Sequence, residues 1–356
     1  YAGLIALTTV LAACDDGGGG GGSGDSDSSY IDRNSVPQED VEVSADNAEE
    51  VSERSVKTGD TILGDGTVDV GSIGSTPDVK IPSSQSGPTL VGATLGFLER
   101  FGPDSEQEFT TRASDSYTTD CPNGGNITVS YQYDGQDQYA SNSVWNAQFN
   151  DCRDSDNVLF RGGYEMTFES DYDQNSGTDW TFDYAVTYGN FRASDGGNVI
   201  WEFDGDMGLT WASLSSDPKL NGAQSYRWTV SGDDLYMADP EGTHRLRDFN
   251  MTYRYPSTLD AYRFSYDYVL SSTDLGGTVT LDTEEDFYIP SGASLFSQGS
   301  IWVYAGSSVD KNQPHIELYD SSNSSSPVYF RADVDGDGTY EKDDEPSSAL
   351  DTDLIL

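Results

Sequence analysis

The chain has 356 residues, enough for one large domain or two ordinary domains. Its 18 basic and 62 acidic residues give a net charge of −44. This charge argues against nucleic acid as a partner and against binding of anionic lipid through basic side chains. Aromatic residues make up 12% of the chain, too many for a fully disordered protein.

The first element in chain order is an apolar run of the length of a signal-peptide core. Residues 2–13 read AGLIALTTVLAA, and the sequence begins with Tyr1 rather than Met, so we expect residues 1–13 to be a signal peptide that is incomplete at its start. The run ends in Leu11-Ala12-Ala13-Cys14, which resembles the lipobox of bacterial lipoproteins. The resemblance implies cleavage before Cys14, acylation of that cysteine and a membrane anchor. The alternative is a chance cysteine after a signal peptide.

The two residues after Cys14 bear on its location. Asp15 and Asp16 resemble the signal that retains enteric lipoproteins in the inner membrane, a rule that does not extend to all bacteria. We therefore expect a lipid-anchored protein of the bacterial cell envelope, in the outer membrane or at the cell surface. The periplasmic face of the inner membrane is the alternative.

Residues 14–88 have the composition of a disordered tether. Six consecutive glycines, 17–22, are followed by Ser- and Asp-rich sequence, which is typical of flexible coil. The apolar residues of this region form no sustained helical or strand period. We therefore expect an acidic spacer between the lipidated Cys14 and a folded domain.

A short helix is predicted next. Val91, Leu95, Leu98 and Phe101 recur at helical spacing within residues 89–101, and Gly102-Pro103 ends the pattern.

From about residue 108 the pattern changes to period two. Trp180, Phe182, Tyr184, Val186 and Tyr188 alternate with polar or small residues, as expected for a strand with one buried aromatic face. Similar alternation recurs from Ile127 to Phe330, without intervening helices. Turn signals separate these segments, at Asp134-Gly135, Gly162-Gly163, Asn175-Ser176-Gly177, Asp195-Gly196-Gly197, Ser231-Gly232-Asp233 and Gly276-Gly277.

This pattern predicts an all-β fold over residues 89–332. We expect an antiparallel meander of about ten to twelve strands, rolled into a sandwich or a barrel-like domain. Residues 333–356 then form an acidic loop and tail.

The cysteines suit an oxidising compartment. If Cys14 carries lipid, Cys121 and Cys152 remain as a matched pair. A turn centred on Gly135-Gln136 would place these two cysteines nearly opposite each other in a hairpin. A disulfide is therefore predicted, and two buried free thiols are the alternative.

One motif near the end of the chain carries recognisable chemistry. Residues 333–338 read DVDGDG, with carboxylates at alternate positions and a Gly at the sixth, which resembles the calcium loops of EF-hands, dockerins and thrombospondin-type repeats. The resemblance implies a stand-alone calcium loop, since the preceding residues read as a strand. The alternative is an acidic turn that opposes aggregation. The implied ligands are Asp333, Asp335, Asp337, Thr339 through its carbonyl, Glu341 and Asp344.

Signals for catalysis are weak. His244 and His315 are the two histidines, and a phosphate-binding loop and a Gly-x-Ser-x-Gly elbow are both absent from the sequence. We therefore expect a structural or interaction protein rather than an enzyme, with an envelope protein as partner. A calcium-assisted carbohydrate-binding or adhesive module is the alternative, because Trp and Tyr side chains stack on sugars. The candidate tryptophans for that role are Trp145, Trp180, Trp201, Trp211, Trp228 and Trp302.

Overall fold

The protein is built on one antiparallel sheet of 14 strands that follow one another in chain order. The computed structural model describes residues 29–63, 89–101, 114–132, 141–169, 179–256, 262–289, 298–319 and 329–346. The predicted all-β antiparallel meander is confirmed, with more strands than the sequence led us to expect. The helices are α1 (Ala48–Ile62) and α2 (Leu90–Phe101), and the strands are β1 (Ser114–Asp120), β2 (Asn126–Gln132), β3 (Val144–Arg153), β4 (Leu159–Phe168), β5 (Trp180–Asp195), β6 (Asn198–Asp217), β7 (Ala223–Ala238), β8 (Thr243–Pro256), β9 (Tyr262–Ser272), β10 (Gly277–Ile289), β11 (Gln298–Ala305), β12 (His315–Tyr319), β13 (Tyr329–Asp333) and β14 (Lys342–Pro346).

The sheet is open rather than closed. Among the described strands, β1 pairs with β2 alone and β14 with β13 alone, so both remain edge strands. One face of the sheet is apolar and buried, and we call the opposite face the outer face. The predicted alternation along β5 is confirmed, because Phe182, Tyr184, Val186 and Tyr188 all belong to the core.

Helix α2 lies on the core face of β3, β4 and β5. The Thr89 hydroxyl accepts the Gly92 N–H at 3.1 Å and caps its first turn. Phe97 packs edge-on against Phe149 and Phe160, and the Tyr164 hydroxyl donates to the Thr94 carbonyl at 2.7 Å. The predicted helix is confirmed, although the side chains of Leu98 and Phe101 lie outside the described ones.

The structure differs from the tether prediction over residues 29–63. This stretch is folded, and α1 is buried against β9 and β12, where the Tyr268 hydroxyl donates to the Ser55 carbonyl. The buried side of α1 includes Ser52, Ser55 and Gly59 beside valines, so small residues take positions where a hydropathy pattern requires apolar ones. The rest of the predicted tether, and Cys14 with it, lies outside the described residues.

The two helices lie between the two halves of the sheet. Helix α1 contacts α2, and the pair is packed against strands from both halves of the sheet in one continuous core. The sheet therefore curls around the helices and encloses a barrel-like core without closing. None of the helices among the described residues combines the length and the apolar character that crossing a membrane requires.

Residues 29–36 cross the outer face before the chain enters the core. The Ser29 hydroxyl and the Tyr30 N–H donate to the two carboxylate oxygens of Glu202, at 2.5 and 3.1 Å. Further along, Asp40 forms a parallel bridge with Thr278 of β10. The described chain thus begins on the outer face of β6.

Three β-bulges bend strands of the sheet. Strands β3, β5 and β8 each carry an extra residue, and the bulges include Asp151, Asn190 and Asp248 with φ of 50°, 48° and 48°. Asp and Asn tolerate this left-handed conformation better than other side chains. Bulges bend a strand and increase its twist, so they help the sheet to curl.

The predicted turns at residues 162–163 and 231–233 are wrong, because their glycines lie inside strands. Gly162 lies within β4 at φ 74°, and a Cβ there would collide with the carbonyl group of Asn190 in β5. Gly232 lies within β7. The predicted turns at residues 195–197 and 276–277 are confirmed as the β5–β6 and β9–β10 connections, and those at 134–135 and 175–177 lie outside the described residues.

The predicted disulfide is present. Cys121 and Cys152 are bonded, with Cα atoms 5.4 Å apart. The predicted hairpin register is wrong, however, because Asn126 of β2 faces Asn150 of β3 and Cys121 lies in the β1–β2 turn. The bond therefore fastens that turn, and with it the edge strand β1, to the end of β3.

Removal of this bond should destabilise the protein. We expect the double variant Cys121→Ser/Cys152→Ser to lose about 3 kcal/mol of unfolding free energy, because the bond restricts the unfolded chain over a separation of 31 residues. Urea unfolding monitored by tryptophan fluorescence measures the loss. A reducing agent should lower the stability of the wild type to that of the variant and leave the variant unchanged. Equal stability of wild type and variant would contradict the expectation.

Candidate metal centre

The acidic loop is positioned by the last hairpin of the sheet. Asp333 is the final residue of β13, and residues 334–341 connect it to β14. Asp333 is fully buried and lies opposite His315 of β12. The first predicted ligand is therefore fixed by the sheet, whereas the others belong to the loop.

The Asp333 carboxylate organises the loop around itself. Its Oδ1 accepts the Gly336 N–H and its Oδ2 accepts the Gly338 N–H, both at 2.7 Å. Gly336 has φ 74°, and a Cβ at this position would collide with the Asn312 carbonyl oxygen in the neighbouring loop. Glycine is thus required at the fourth position, both for the turn and for the close packing of the two loops.

The remaining carboxylates also accept backbone N–H groups. Asp335 accepts the N–H of Asp337 at 3.2 Å, and Asp337 accepts that of Thr339 at 2.7 Å. Glu341 reaches back and accepts the Val334 N–H at 2.8 Å. These bonds turn the carboxylates toward the inside of the loop.

The loop is also held from the sheet side. Tyr340 donates to Glu317 at 3.4 Å and lies under the Arg331 guanidinium, whose carbon is 4.3 Å from the ring centre. Arg331 and Glu317 are paired across β13 and β12, with Nε and Oε2 2.6 Å apart. The Glu341 N–H donates to the Ala332 carbonyl at 2.9 Å. Both ends of the loop are therefore anchored.

The result is a compact group of four carboxylates. Asp333, Asp335, Asp337 and Glu341 each place an oxygen within 4.8 Å of the others. Four negative charges at this separation repel one another, and oxygen donors in this arrangement suit a hard divalent cation. Thr339 lies in the same loop. Asp344 lies in β14, and its side chain is outside the described ones.

Most of the tryptophans proposed for sugar stacking belong to the core. Trp145, Trp201, Trp211 and Trp228 are at most 1% exposed, and Trp180 is half-buried against Trp211. Trp302 is half-buried on the outer face, where it stacks on His315 and is covered by Lys311. The described tryptophans thus form no exposed aromatic row.

His244 belongs to a buried network that the sequence did not predict. Its Nδ1 lies 2.9 Å from the Ser272 hydroxyl and its Nε2 lies 3.1 Å from Asp239. Ser272 is 1% exposed and also accepts the N–H groups of Asp274 and Leu275. The network therefore ties the β7–β8 turn to the β9–β10 turn. Ser272 is 28 residues from His244 in the chain, so no local motif reveals the network.

Comparison with protein-family models, curated proteins and solved structures finds no match for this chain. Its function is therefore argued from its own residues.

The His244 network should make stability depend on pH. Burial would raise the pKa of Asp239, but hydrogen bonds from His244, Glu241 and Gly242 outweigh burial and lower that pKa below its usual value. A lowered folded-state pKa stabilises the protein above the unfolded pKa of about 3.9, and this stabilisation is lost as the pH falls through the folded value.

We expect Asp239→Asn to lower the unfolding free energy by about 1–3 kcal/mol at pH 7, with the difference narrowing below about pH 4. Urea unfolding at several pH values measures it. Asp233→Asn, which removes an exposed carboxylate from β7, is the matched control and should have little effect at any pH. A constant difference between Asp239→Asn and wild type across this range would refute the linkage.

Proposed function

We propose that the protein is a lipid-anchored structural or interaction protein of the bacterial cell envelope, not an enzyme, and that its C-terminal loop binds calcium. The observation that carries the calcium part is the convergence of four carboxylates within 4.8 Å on one loop. Calcium bound there would join β13 to the start of β14 and fix the edge of the sheet. The proposed role of calcium is therefore structural.

Two features of the sheet support an interaction role. The described outer face is largely polar, with cross-strand pairs such as Thr210 with Thr229 and Thr229 with Thr252. The edge strands β1 and β14 leave backbone groups without a strand partner among the described residues. Such edges are natural sites for adding a strand from another chain. Partner proteins of the envelope fit this surface.

The anchor would hold the domain close to the membrane. Ser29 contacts Glu202 on the outer face, so residues 15–28 are the link between Cys14 and the folded part. Fourteen extended residues span at most about 50 Å, at about 3.3–3.6 Å each. The outer face of β6 would therefore lie near the lipid surface.

Calcium should stabilise the protein. With the dissociation constant of about 10⁻⁴ M found for extracellular calcium modules, we expect 10 mM calcium, about 100 times that constant, to add about 2.7 kcal/mol to the unfolding free energy. Magnesium at equal concentration should add less, because it requires a stricter octahedral arrangement. Thermal unfolding with calcium, magnesium and EDTA measures both effects, and isothermal titration gives the stoichiometry.

Variants locate the ion. Asp335→Asn and Asp337→Asn should each weaken calcium binding about tenfold or more. Asp310→Asn removes an equal charge from the neighbouring loop, outside the group of four carboxylates, and should bind calcium as the wild type does. Calcium binding that is unchanged in Asp335→Asn and Asp337→Asn would refute this site.

The lipid anchor is tested separately. We expect the protein made in a Gram-negative bacterium to partition into the detergent phase of Triton X-114, and Cys14→Ala to move it into the aqueous phase, because acyl chains supply the anchor. Cys121→Ser/Cys152→Ser is the control and should stay with the detergent. If Cys14→Ala also remained in the detergent phase, Cys14 would not be the anchor.

A further inference from the structure

Three arginines lie side by side on the outer face of the sheet. Arg227 of β7 is opposite Arg254 of β8, which is opposite Arg263 of β9. Core residues flank Arg227 on both sides in the chain, since Tyr226 and Trp228 are buried. We call these three residues the arginine row. It stands out in a chain with 18 basic and 62 acidic residues.

The arrangement is unfavourable by itself. Neighbouring strands lie about 4.8 Å apart, and like charges directly opposite each other destabilise a sheet. A row of this kind calls for a counter-ion.

The carboxylates nearby offset only the middle arginine. Asp286 lies 3.4 Å from Arg254 Nη1, and Asp217 lies 4.0 Å from Arg254 Nε. Lys219 also binds Asp286, at 2.5 Å. Asp217 and Asp286 thus form ion pairs with Arg254 and Lys219 and, among the described residues, with neither Arg227 nor Arg263.

The outer two arginines have no described acidic partner. The Arg263 guanidinium lies over the Tyr288 ring, with its carbon 4.6 Å from the ring centre. With the Gln298 amide turned so that its oxygen faces Arg263, that oxygen accepts from Nη1 and Nη2 at 2.8 and 2.7 Å. Both of these partners are neutral. Throughout the described ranges, no carboxylate forms an ion pair with Arg227 or Arg263.

Buried donors in the row also lack acceptors. The Nε atoms of Arg227, Arg254 and Arg263 are all buried, and within the part of the chain that the structure describes none has a hydrogen-bond partner. A buried donor on a charged group is costly to leave unpaired. Arg247 of β8 has a buried Nε without a partner as well, but only in the row do three such donors lie directly opposite one another on adjacent strands.

A short loop borders the arginine row. The 3₁₀ turn Pro218–Leu220 between β6 and β7 folds over the outer face, since Asp217 approaches Arg254 and Lys219 reaches Asp286 of β10. The three arginines are half-buried rather than freely solvated. Charge interactions in such a setting are screened less than at an open surface.

We propose that the arginine row, with Lys219, binds a tetrahedral oxyanion, namely a phosphate or sulfate group. A dianion brings two negative charges to a row in which Arg227 and Arg263 form no ion pair among the described residues. The three or four oxygens of such an anion can accept hydrogen bonds from several guanidinium groups at once. A single carboxylate has two oxygens and typically forms a bidentate pair with one guanidinium group. The site is separate from the calcium loop and extends the interaction role proposed above.

The test is a titration of the full chain with inorganic phosphate, sulfate and acetate, at constant ionic strength set with sodium chloride. We expect saturable one-to-one stabilisation by phosphate and sulfate in thermal unfolding and in calorimetric titration, and a much smaller effect of acetate. Phosphate should bind more tightly at pH 8 than at pH 6, because the dianion is then more abundant. No saturable effect of phosphate or sulfate would overturn the proposal.

Variants distinguish binding from a structural role. Arg227→Gln and Arg263→Gln should each weaken phosphate binding about tenfold or more. Arg227→Gln should do so without lowering the melting temperature of the free protein, because it relieves like-charge repulsion, whereas Arg263→Gln also removes the contacts with Gln298 and Tyr288. Arg153→Gln removes an equal charge at the end of β3 and should bind phosphate as the wild type does. Equal weakening in all three variants, or a free-protein destabilisation that accounts for the whole effect in Arg227→Gln and Arg263→Gln, would contradict the assignment.

The source of the oxyanion is resolved with vesicles. Phosphatidylcholine vesicles with and without phosphatidic acid present the same phosphate group on a lipid. Binding that requires phosphatidic acid and is lost in Arg227→Gln would support the site and identify a headgroup as the source. Phosphate binding without vesicle binding would support the site with a soluble source.

Discussion

A single sheet buries only one face, and the rest of this structure depends on how that face is covered. The core face carries large aromatic side chains, among them Trp201 and Trp211 at 0% exposure. No second sheet is present among the described residues, so coverage comes from α1, α2 and the curvature of the sheet itself. The segment before β1 is therefore part of the folding unit. Its helices replace the second layer that most β domains require.

Curvature links that core to the outer face. The bulges at Asp151, Asn190 and Asp248 change which residues of β3, β5 and β8 point inward, so the buried positions shift by one beyond each bulge. Loops also fold over the outer face. Both candidate sites are bordered by such loops: the acidic loop packs on the loop containing Asn312, and Asp217 at the start of the 3₁₀ turn approaches Arg254 of the arginine row.

The sequence predicts what local spacing encodes. Alternation from Phe182 to Tyr188 predicts a half-buried strand, and the carboxylates from Asp333 to Glu341 converge because they share one short loop. Helix α1 could not be predicted by hydropathy, since Ser52, Ser55 and Gly59 share its buried side. Glycines in bulges look like glycines in turns. The arginine row could not be predicted either, because only the register of three strands brings its members together.

The two candidate sites present the same electrostatic problem with opposite signs. Each holds like charges together, so each is relieved by a counter-ion. The net charge of −44 concentrates cations around the protein and depletes anions. The negative long-range field therefore favours calcium binding at the acidic loop. The same field opposes anion binding at the arginine row, so that binding must depend on short-range contacts with half-buried guanidinium groups. Salt screens the long-range field more than it screens contacts between partly buried groups. Added salt therefore weakens the attraction of calcium to the acidic loop. It also reduces the repulsion between the protein and an anion that approaches the arginine row.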